Sequence, residues 1–317
     1  MRKPNVSVIV PTHNGARWLG ETLTSVLQQH LQPCEILVIN DGSTDETEQV
    51  LRSFESPRVR AIHQPQGGIG AARNRGVSEA SGDYLAFLDH DDLWTPDKLA
   101  RQMAFVVQHS QLDVIYTDAE EFDDQGVVHP SFLELFPQLR NPADIFQAVV
   151  HFSVPLMSTV LLRAHFLRAH AISFCERASG VDDIGLFLEI AAANGRFGLL
   201  NERLTRRRLH DGNLSKVHRH RFEKRIVLYQ YLLQRLANAT PGQRRALDWG
   251  LRHAHWTVGE CQWGELDREA ARVHFARAIG LDWLGIRALL YGMVARLPAG
   301  FVLRLQQAKR TLATRSM

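Results

Sequence analysis

Short apolar runs alternate with segments of helical periodicity through the first 120 or so residues, and this alternation is the strongest constraint on the fold. The runs lie at residues 6–10, 35–39, 59–62 and 84–88. Helical patterns follow them at about 18–27, 45–54, 69–80 and 96–109. Strand-like runs separated by amphipathic helices are typical of βαβ units. The sequence therefore predicts an α/β fold with a mixed, mainly parallel sheet that is flanked by helices.

The remainder of the chain is predicted to contain a loosely patterned region and then a helical one. Short strands are expected at 158–162 and 203–209, with a helix near 183–194. Beyond 215 the pattern is helical throughout. A chain of 317 residues with 45% hydrophobic and 22% charged residues suits one large domain plus a smaller unit. We predict an α/β domain over residues 1–216 and an α-helical region over 217–317.

Composition and charge exclude several classes of protein. The three cysteines, Cys34, Cys175 and Cys261, are scattered and form no CxxC pair, which argues against a zinc site or a disulfide framework. Neither a signal peptide nor an apolar stretch of about 18 residues is present, so we expect a cytoplasmic protein. A net charge of +3 predicts no nucleic-acid partner, although residues 201–254 carry a local excess of Arg and Lys.

The strongest chemical signal is the acidic segment at residues 89–92, Asp-His-Asp-Asp, directly after a predicted buried strand. Three carboxylates in four residues repel one another, and a hard divalent ion such as Mg²⁺ or Mn²⁺ relieves that repulsion. Polar segments also follow the first two strands, at residues 12–14 and 40–43. Strand ends of a parallel sheet meet in one crevice, so we expect these segments to converge. The alternative is a solvated acidic turn that caps the helix near Pro96.

Four motifs in fixed order resemble the inverting glycosyltransferases of family 2, which have the GT-A fold. The motifs are residues 8–14, 38–45, 70–74 and 87–92. The resemblance covers roughly residues 5–216 and makes that region the catalytic domain. It implies the transfer of a sugar from a nucleotide-diphosphate donor, usually a UDP-sugar, to an acceptor hydroxyl with the help of Mn²⁺ or Mg²⁺.

The resemblance also implies roles for individual residues on the donor side. Nucleotide-sugar contacts are implied for Pro11, Thr12, Asn14, Asp41, Arg73, Asp89 and His90. Asp41 would accept a hydrogen bond from the nucleobase, and Asp91 would bind the metal directly. His90 stands where the family commonly has a small residue. Two alternatives stay open: a capped tight turn at Asp41, and a structural ion pair for Arg73.

A second acidic pair, Asp182-Asp183, resembles the Glu-Asp motif whose second carboxylate is the general base in this family. An inverting reaction needs one carboxylate to take the proton of the attacking hydroxyl. At a helix N-terminus Asp183 is predicted to stay ionised as a weak base. The alternative is that both carboxylates only cap the helix.

Residues 206–215 resemble the closing segment of the family. His210 is predicted to ligate the metal or to donate to the diphosphate. Arg208 or Arg207 is predicted to offset the charge that develops on the leaving group. A nucleotidyltransferase is disfavoured because its Gly-rich N-terminal loop is absent, and a Rossmann dehydrogenase because no G-x-G-x-x-G follows the first strand.

The acceptor is predicted only as a class, a glycan or a lipid-linked saccharide in cell-surface polysaccharide biosynthesis. A non-catalytic protein that binds nucleotide sugars is the alternative function. Residues 283–305 mix large apolar side chains with arginines. This pattern fits an interfacial helix in peripheral contact with the inner face of the membrane, and equally a helix that packs on the core.

Overall fold

A computed structural model describes residues 4–54, 56–141, 143, 145–152, 154–213, 218–265 and 267–279 of the protein. Its strands are β1 (Val6–Thr12), β2 (Glu35–Asp41), β3 (Val59–Gln64), β4 (Tyr84–Phe87), β5 (Leu93–Trp94), β6 (Val114–Asp123), β7 (Gly126–His129), β8 (Leu161–Arg163) and β9 (Phe197–Arg208). Its helices are α1 (Leu19–Leu27), α2 (Thr47–Arg52), α3 (Ile69–Glu79), α4 (Lys98–Gln108), α5 (Phe132–Leu135), α6 (Ile145–His151), α7 (Ala164–Ala169), α8 (Asp182–Ala192), α9 (His218–Arg235), α10 (Pro241–Gly264) and α11 (Arg268–Ile279).

The strands form one mixed sheet in the order β3-β2-β1-β4-β8-β6-β9-β5, with β7 paired to β6. Strands β1 to β4 are parallel, and β8 runs antiparallel to both β4 and β6. The carboxyl ends of β1, β2 and β4 therefore lie along one edge. The predicted mixed α/β sheet is confirmed, and its parallel part carries the polar strand ends at that edge.

Alternate side chains of the central strands fill two cores, one on each face of the sheet. Ile9 and Leu37 belong to the core that includes α8 and α9, whereas Val8, Val38 and Leu23 belong to the core formed with α1 and α4. A parallel sheet covered on both faces needs continuous apolar strands, which is why these runs lack polar alternation.

Two long strands, β6 and β9, run parallel to each other where the sequence predicts irregular loops and a shorter strand. Their charged residues interrupt the apolar pattern that predicts a strand, but these residues pair with one another across the sheet. Arg206 donates to Glu120 at 2.9 Å and Arg207 donates to Glu121 at 2.6 Å. Such cross-strand ion pairs let a charged sequence form a strand.

The C-terminal helices share a core with the sheet. Leu228, Tyr229 and Leu232 of α9 are buried in the same cluster as Ile9 of β1. The division at residue 216 stays a prediction, and the interfacial helix expected at 283–305 lies outside the described residues. Within the residues described, no helix is both long and apolar enough to span a bilayer.

Candidate active site

A cavity of about 1270 Å³ opens at the edge where β1, β2 and β4 end. Of the residues predicted for the site, those that line it are Pro11, Thr12, Asn14, Asp41, Arg73, Asp89, His90, Asp91, Asp183 and His210. Arg208 does not line it. The structure therefore brings the three predicted strand-end segments and the Asp182-Asp183 motif around one cavity.

The Asp41 carboxylate lines the cavity and is already held by three donors. Gln64 Nε2 and the Gly67 N–H donate to Oδ1 at 2.7 and 2.8 Å, and the Gly68 N–H donates to Oδ2 at 2.8 Å. Gly68 adopts a φ of 88°, a left-handed conformation that glycine tolerates best. A carboxylate can accept about four hydrogen bonds, so Asp41 retains room for a ligand N–H. The tight turn expected as an alternative exists and leaves that recognition possible.

Thr12 and Asn14 form the neighbouring wall of the cavity. The buried Oγ1 of Thr12 has no hydrogen-bond partner among the described residues. Such an orphaned buried group calls for a partner that the protein does not supply. Asn14 fixes the loop after β1 to the loop after β2, since its Oδ1 accepts from the Thr44 N–H at 2.8 Å and its N–H donates to Ser43 at 2.9 Å.

Asp91 and His210 meet at the wall of the cavity. His210 Nε2 lies 2.8 Å from Asp91 Oδ2, and Asn213 Nδ2 lies 3.5 Å from the same oxygen. The Trp18 ring packs on the imidazole with 4.1 Å between centroids. Because the Gly212 N–H donates to Nδ1 at 3.1 Å, the hydrogen-bond network assigns the imidazole proton to Nε2.

A carboxylate oxygen and an imidazole nitrogen this close fit a divalent cation. No group of three or more His, Cys, Asp or Glu side chains within the described ranges is arranged as a full metal cage. Mg²⁺ and Mn²⁺ sites that bind phosphates commonly use only one or two protein carboxylates, because phosphate and water oxygens complete the shell. Ligation through Nε2 would move the imidazole proton to Nδ1 and end the hydrogen bond from Gly212.

Asp92, the third carboxylate of the acidic segment, is hydrogen-bonded within the protein. Asp92 is buried and accepts from Ser158 Oγ at 2.6 Å and from the Arg208 N–H at 3.0 Å. Burial raises the pKa of Asp92 well above its usual value, and the charges of Asp91 and Asp89 add to that shift. Ser158 Oγ also accepts from the Asp89 N–H at 3.1 Å. Ser158 and Asp92 therefore join the acidic segment to the end of β9.

Arg73 is the central cation of the site. Its guanidinium donates to Asp89 Oδ1 at 2.8 Å and to Asp182 Oδ2 at 2.9 Å. Burial opposes the charged form, but the two carboxylates raise the pKa of Arg73 above its usual value. The ion pair expected as an alternative for Arg73 is present, and the side chain also borders the cavity.

Asp182 and Asp183 begin α8 and differ in environment. Asp182 is buried against Arg73 and accepts from the Gly180 N–H at 2.9 Å. Asp183 is partly exposed to the cavity and accepts from the Ile184 N–H at 2.8 Å. Burial, followed by the Asp182 charge, raises the pKa of Asp183 to about 6. The sequence predicts that the helix N-terminus keeps the Asp183 carboxylate a weak base. The structure differs, because desolvation raises the pKa by more than the helix terminus lowers it.

Arg208 is placed differently from the sequence prediction. Its guanidinium donates to Glu21 at 2.7 Å and to the Asp91 carbonyl at 3.1 Å, away from the cavity. Neighbouring residues of a strand point to opposite faces, so only one of Arg207 and Arg208 can face the cavity. That residue is Arg207. Arg208 supports the Asp91 backbone instead.

Several residues of the site were not predicted from the sequence. Asn213 lies inside the predicted closing segment, so its position was a usable signal. Ser158 and Arg221 carry no local motif that marks them, because each reaches the site through the packing of a distant element. Trp18 follows the motif at residues 8–14 but is not part of it.

The mixed sheet and its flanking helices have the GT-A-type arrangement. Residues 7–157 match the family model described as Glycosyl transferase family 2, and the chain belongs to this family. It is 30% identical over 222 residues to a hyaluronan synthase of Pasteurella multocida. The matched stretch covers 68% of this chain and 21% of that protein.

Two solved structures share the fold. S. aureus TarS 1-349 in complex with UDP-GlcNAc superposes with a TM-score of 0.63 at 22% identity, covering 86% of this chain and 81% of that one. The mannosyltransferase PcManGT of Pyrobaculum calidifontis in complex with GDP-Man and Mn²⁺ has a TM-score of 0.58 at 18% identity, covering 99% and 84%. The chain spans between 20% and 38% of the length of four of the curated glycosyltransferases to which it is similar. Family and fold follow from these likenesses.

Proposed function

We propose that this chain is an inverting glycosyltransferase that transfers a hexosyl group from a UDP-sugar to a hydroxyl of a glycan or lipid-linked acceptor. The observation that carries the proposal is the convergence of Asp41, the Asp91–His210 pair and Asp183 on one cavity. A nucleobase site, a diphosphate site and a base are the parts that such a transfer requires.

Asp41 and Thr12 would hold the nucleobase. The free acceptor capacity of Asp41 suits the N3–H of uracil, and the Thr12 hydroxyl needs a partner that a base or ribose can supply. The complex of TarS with UDP-GlcNAc supports a uridine nucleotide.

Asp91 and His210 would hold the divalent cation beside the diphosphate. When bound, the cation supplies charge neutralisation for the departing nucleoside diphosphate, which is worth several kcal/mol. The Mn²⁺ in the PcManGT complex supports this assignment. Asp92 and Ser158 hold the loop that carries Asp91, so this ligand needs little reorganisation on binding.

Asp183 would act as the general base. Its carboxylate accepts the proton of the acceptor hydroxyl while that oxygen forms a bond to the anomeric carbon of the donor. The bond from that carbon to the diphosphate breaks on the opposite face, and the configuration inverts. A pKa of about 6 leaves Asp183 largely ionised at neutral pH yet basic enough to assist.

The biological setting is proposed from relatives. The likeness to a hyaluronan synthase supports a place in polysaccharide biosynthesis. A cytoplasmic reaction, with the acceptor presented at the inner face of the membrane, is the corresponding proposal for location.

Calorimetric titration of the full chain with UDP-, GDP- and dTDP-sugars in the presence of Mn²⁺ tests the proposal. We expect UDP-sugars to bind, with the affinity lost in Asp91→Ala. Asp97→Ala is the matched control, since Asp97 pairs with His30 at 2.7 Å on the surface. A chain that binds none of the three nucleotides, with or without Mn²⁺, contradicts the proposal.

A further inference from the structure

Part of the cavity wall is apolar and is formed by three segments of the chain. Strand β7 and helix α5 follow each other with only Pro130 and Ser131 between them, and the third segment comprises residues 154–157. Ser131 Oγ donates to Asp118 Oδ2 at 2.6 Å, which fixes the start of α5 to β6. The apolar residues that these segments contribute to the cavity form the apolar wall: Val128, Phe132, Phe136, Val154, Leu156 and Met157.

The hydrophobic core of the protein supports the apolar wall from behind. Phe132 and Met157 are buried in the core that includes α8 and α9. Phe136, Val154 and Leu156 are only partly buried, and they pack against the same core. The rings of Phe132 and Phe136 lie 4.8 Å apart between centroids. Because side chains packed on a dense interior keep their positions, the apolar wall is formed before any ligand binds.

The apolar wall continues beyond the cavity onto the surface of the protein. Val128 lines the cavity and is nevertheless 41% exposed, so it lies at the cavity rim. Leu135 follows Phe132 by one turn of α5 and is 45% exposed. Exposed apolar surface that adjoins a cavity is a common mark of a binding site.

The chemistry of the apolar wall indicates what kind of group it binds. Its six side chains offer no N–H, O–H or carbonyl group, so sugar hydroxyls placed against them would lose hydrogen bonds to water without replacement. The nucleotide, the diphosphate and the cation are polar, and they suit the segments that carry Asp41 and Asp91. A hydrocarbon chain loses no hydrogen bonds there, and the burial of its surface favours binding.

We propose that the apolar wall binds the hydrocarbon chain of a lipid-linked acceptor, and that this chain leaves the cavity past Val128 and Leu135. The inference rests on the proposed function and selects one of the two acceptor classes named there. The acceptor hydroxyl must reach Asp183, and Asp183 lines the same cavity as the apolar wall. A saccharide that carries a lipid at its reducing end can therefore present its hydroxyl to Asp183 while the chain lies on the wall.

The binding of glucosides with different aglycones to the full chain tests the inference by calorimetry. The probes are methyl β-glucoside, n-octyl β-glucoside below its micelle concentration, and a glucoside of tri(ethylene glycol) methyl ether, which is a polar chain of similar length. We expect the octyl glucoside to bind about tenfold or more tightly than either of the others, since each fully buried methylene favours binding about fourfold. Equal affinities for the three probes would overturn the proposal.

A double variant at the cavity rim assigns this preference to the apolar wall. Val128→Thr keeps the β-branched shape and Leu135→Gln keeps a side chain of similar length, but both add polar groups. We expect the double variant to lose about fivefold or more of the preference for the octyl chain. The matched control is the double variant Val107→Thr and Leu31→Gln, because these residues are 74% and 37% exposed and do not line the cavity. An equal loss in the control would indicate general attraction of the alkyl chain to the surface and would overturn the assignment.

Two further measurements test other occupants of the apolar wall. Competitive displacement of the octyl glucoside by UDP and Mn²⁺ would mean that the wall belongs to the donor site, and the proposal would be wrong. A rim variant that dissociates a dimer in sedimentation, yet keeps its preference for the octyl chain, would mean that the rim is an interface between copies of this chain. A failure to bind UDP counts against the proposed function alone, because the preference for the octyl chain and its loss in the rim variant are measured without UDP.

Discussion

Arg73 donates from Nη1 to Asp182 Oδ2 at 2.9 Å, and both side chains are almost fully buried. The other terminal nitrogen donates to Asp89 in the loop after β4. One guanidinium therefore connects the acidic segment of the donor site to the helix terminus that carries Asp183. The spacing between the donor and the proposed base depends on this connection.

Replacing Arg73 should lower both activity and stability. Arg73→Lys keeps the charge but cannot span two carboxylates, and Arg73→Met leaves Asp182 buried without its partner. Breaking a buried pair costs about 3–5 kcal/mol, so we expect Arg73→Met to lower the melting temperature markedly. In Arg73→Lys we expect kcat to fall more than the donor affinity, because Asp183 is displaced while Asp41 is not.

The control for Arg73 is Arg60→Lys, since Arg60 of the edge strand β3 spans Glu79 and Glu35 at the surface of the protein. Exposed pairs contribute at most about 1 kcal/mol, so kcat should not change. If Arg73→Lys lost donor affinity and kcat in equal proportion, Arg73 would act as a direct donor contact.

Asp183→Asn should separate binding from chemistry. The amide preserves the size of the side chain but cannot accept a proton, so transfer should fall roughly 10²–10⁴-fold. Donor affinity should stay within about twofold, because Asp41 and Asp91 are unchanged. Calorimetry with a UDP-sugar and a UDP-release assay measure the two quantities. Normal transfer by Asp183→Asn would rule out this residue as the base, and a wild-type chain that binds donor without turnover would indicate a non-catalytic protein.

The pH dependence of transfer should report the Asp183 carboxyl group. Its pKa is raised to about 6, and the base works only in the ionised form. The rate should therefore be highest above pH 7 and should fall about tenfold per pH unit well below pH 6. Arg73 and Arg221 hold this pKa down, so Arg221→Gln should move the acidic limb to higher pH. A limb that stays near pH 4 in the wild-type chain would contradict the raised pKa.

The parallel half of the fold was predictable because its strands are continuous apolar runs. Residues 69–80 were predicted as a helix, and α3 spans Ile69–Glu79. Strand β6 was not predicted, because Asp118, Glu120 and Glu121 interrupt its apolar pattern, and the side chains that pair with them lie elsewhere in the chain.

The site was predictable where residue types follow one another in a motif. Asp89, Asp91 and Asp183 line the cavity, as the motifs indicated. The choice between Arg207 and Arg208 depends on which face of β9 meets the cavity, and the sequence does not set that register. Ser158 likewise cannot be recognised as a site residue from the sequence, because its partners lie 66 and 69 residues away along the chain.

Ser158→Ala should weaken the binding of the metal by the loop after β4. The variant removes the donor to Asp92 and the acceptor for the Asp89 N–H, which should cost about 1–3 kcal/mol of stability. Because these bonds fix the segment that bears Asp91, we expect several-fold more Mn²⁺ to be needed for half-maximal donor binding. The matched control is Ser7→Ala, since Ser7 Oγ donates to Glu35 at 2.7 Å and accepts from the Gly82 N–H at 2.8 Å near the start of β1. Ser7→Ala should lower the melting temperature by a similar amount with an unchanged Mn²⁺ requirement; equal Mn²⁺ curves for the two variants would mean that Ser158 stabilises the fold without positioning Asp91.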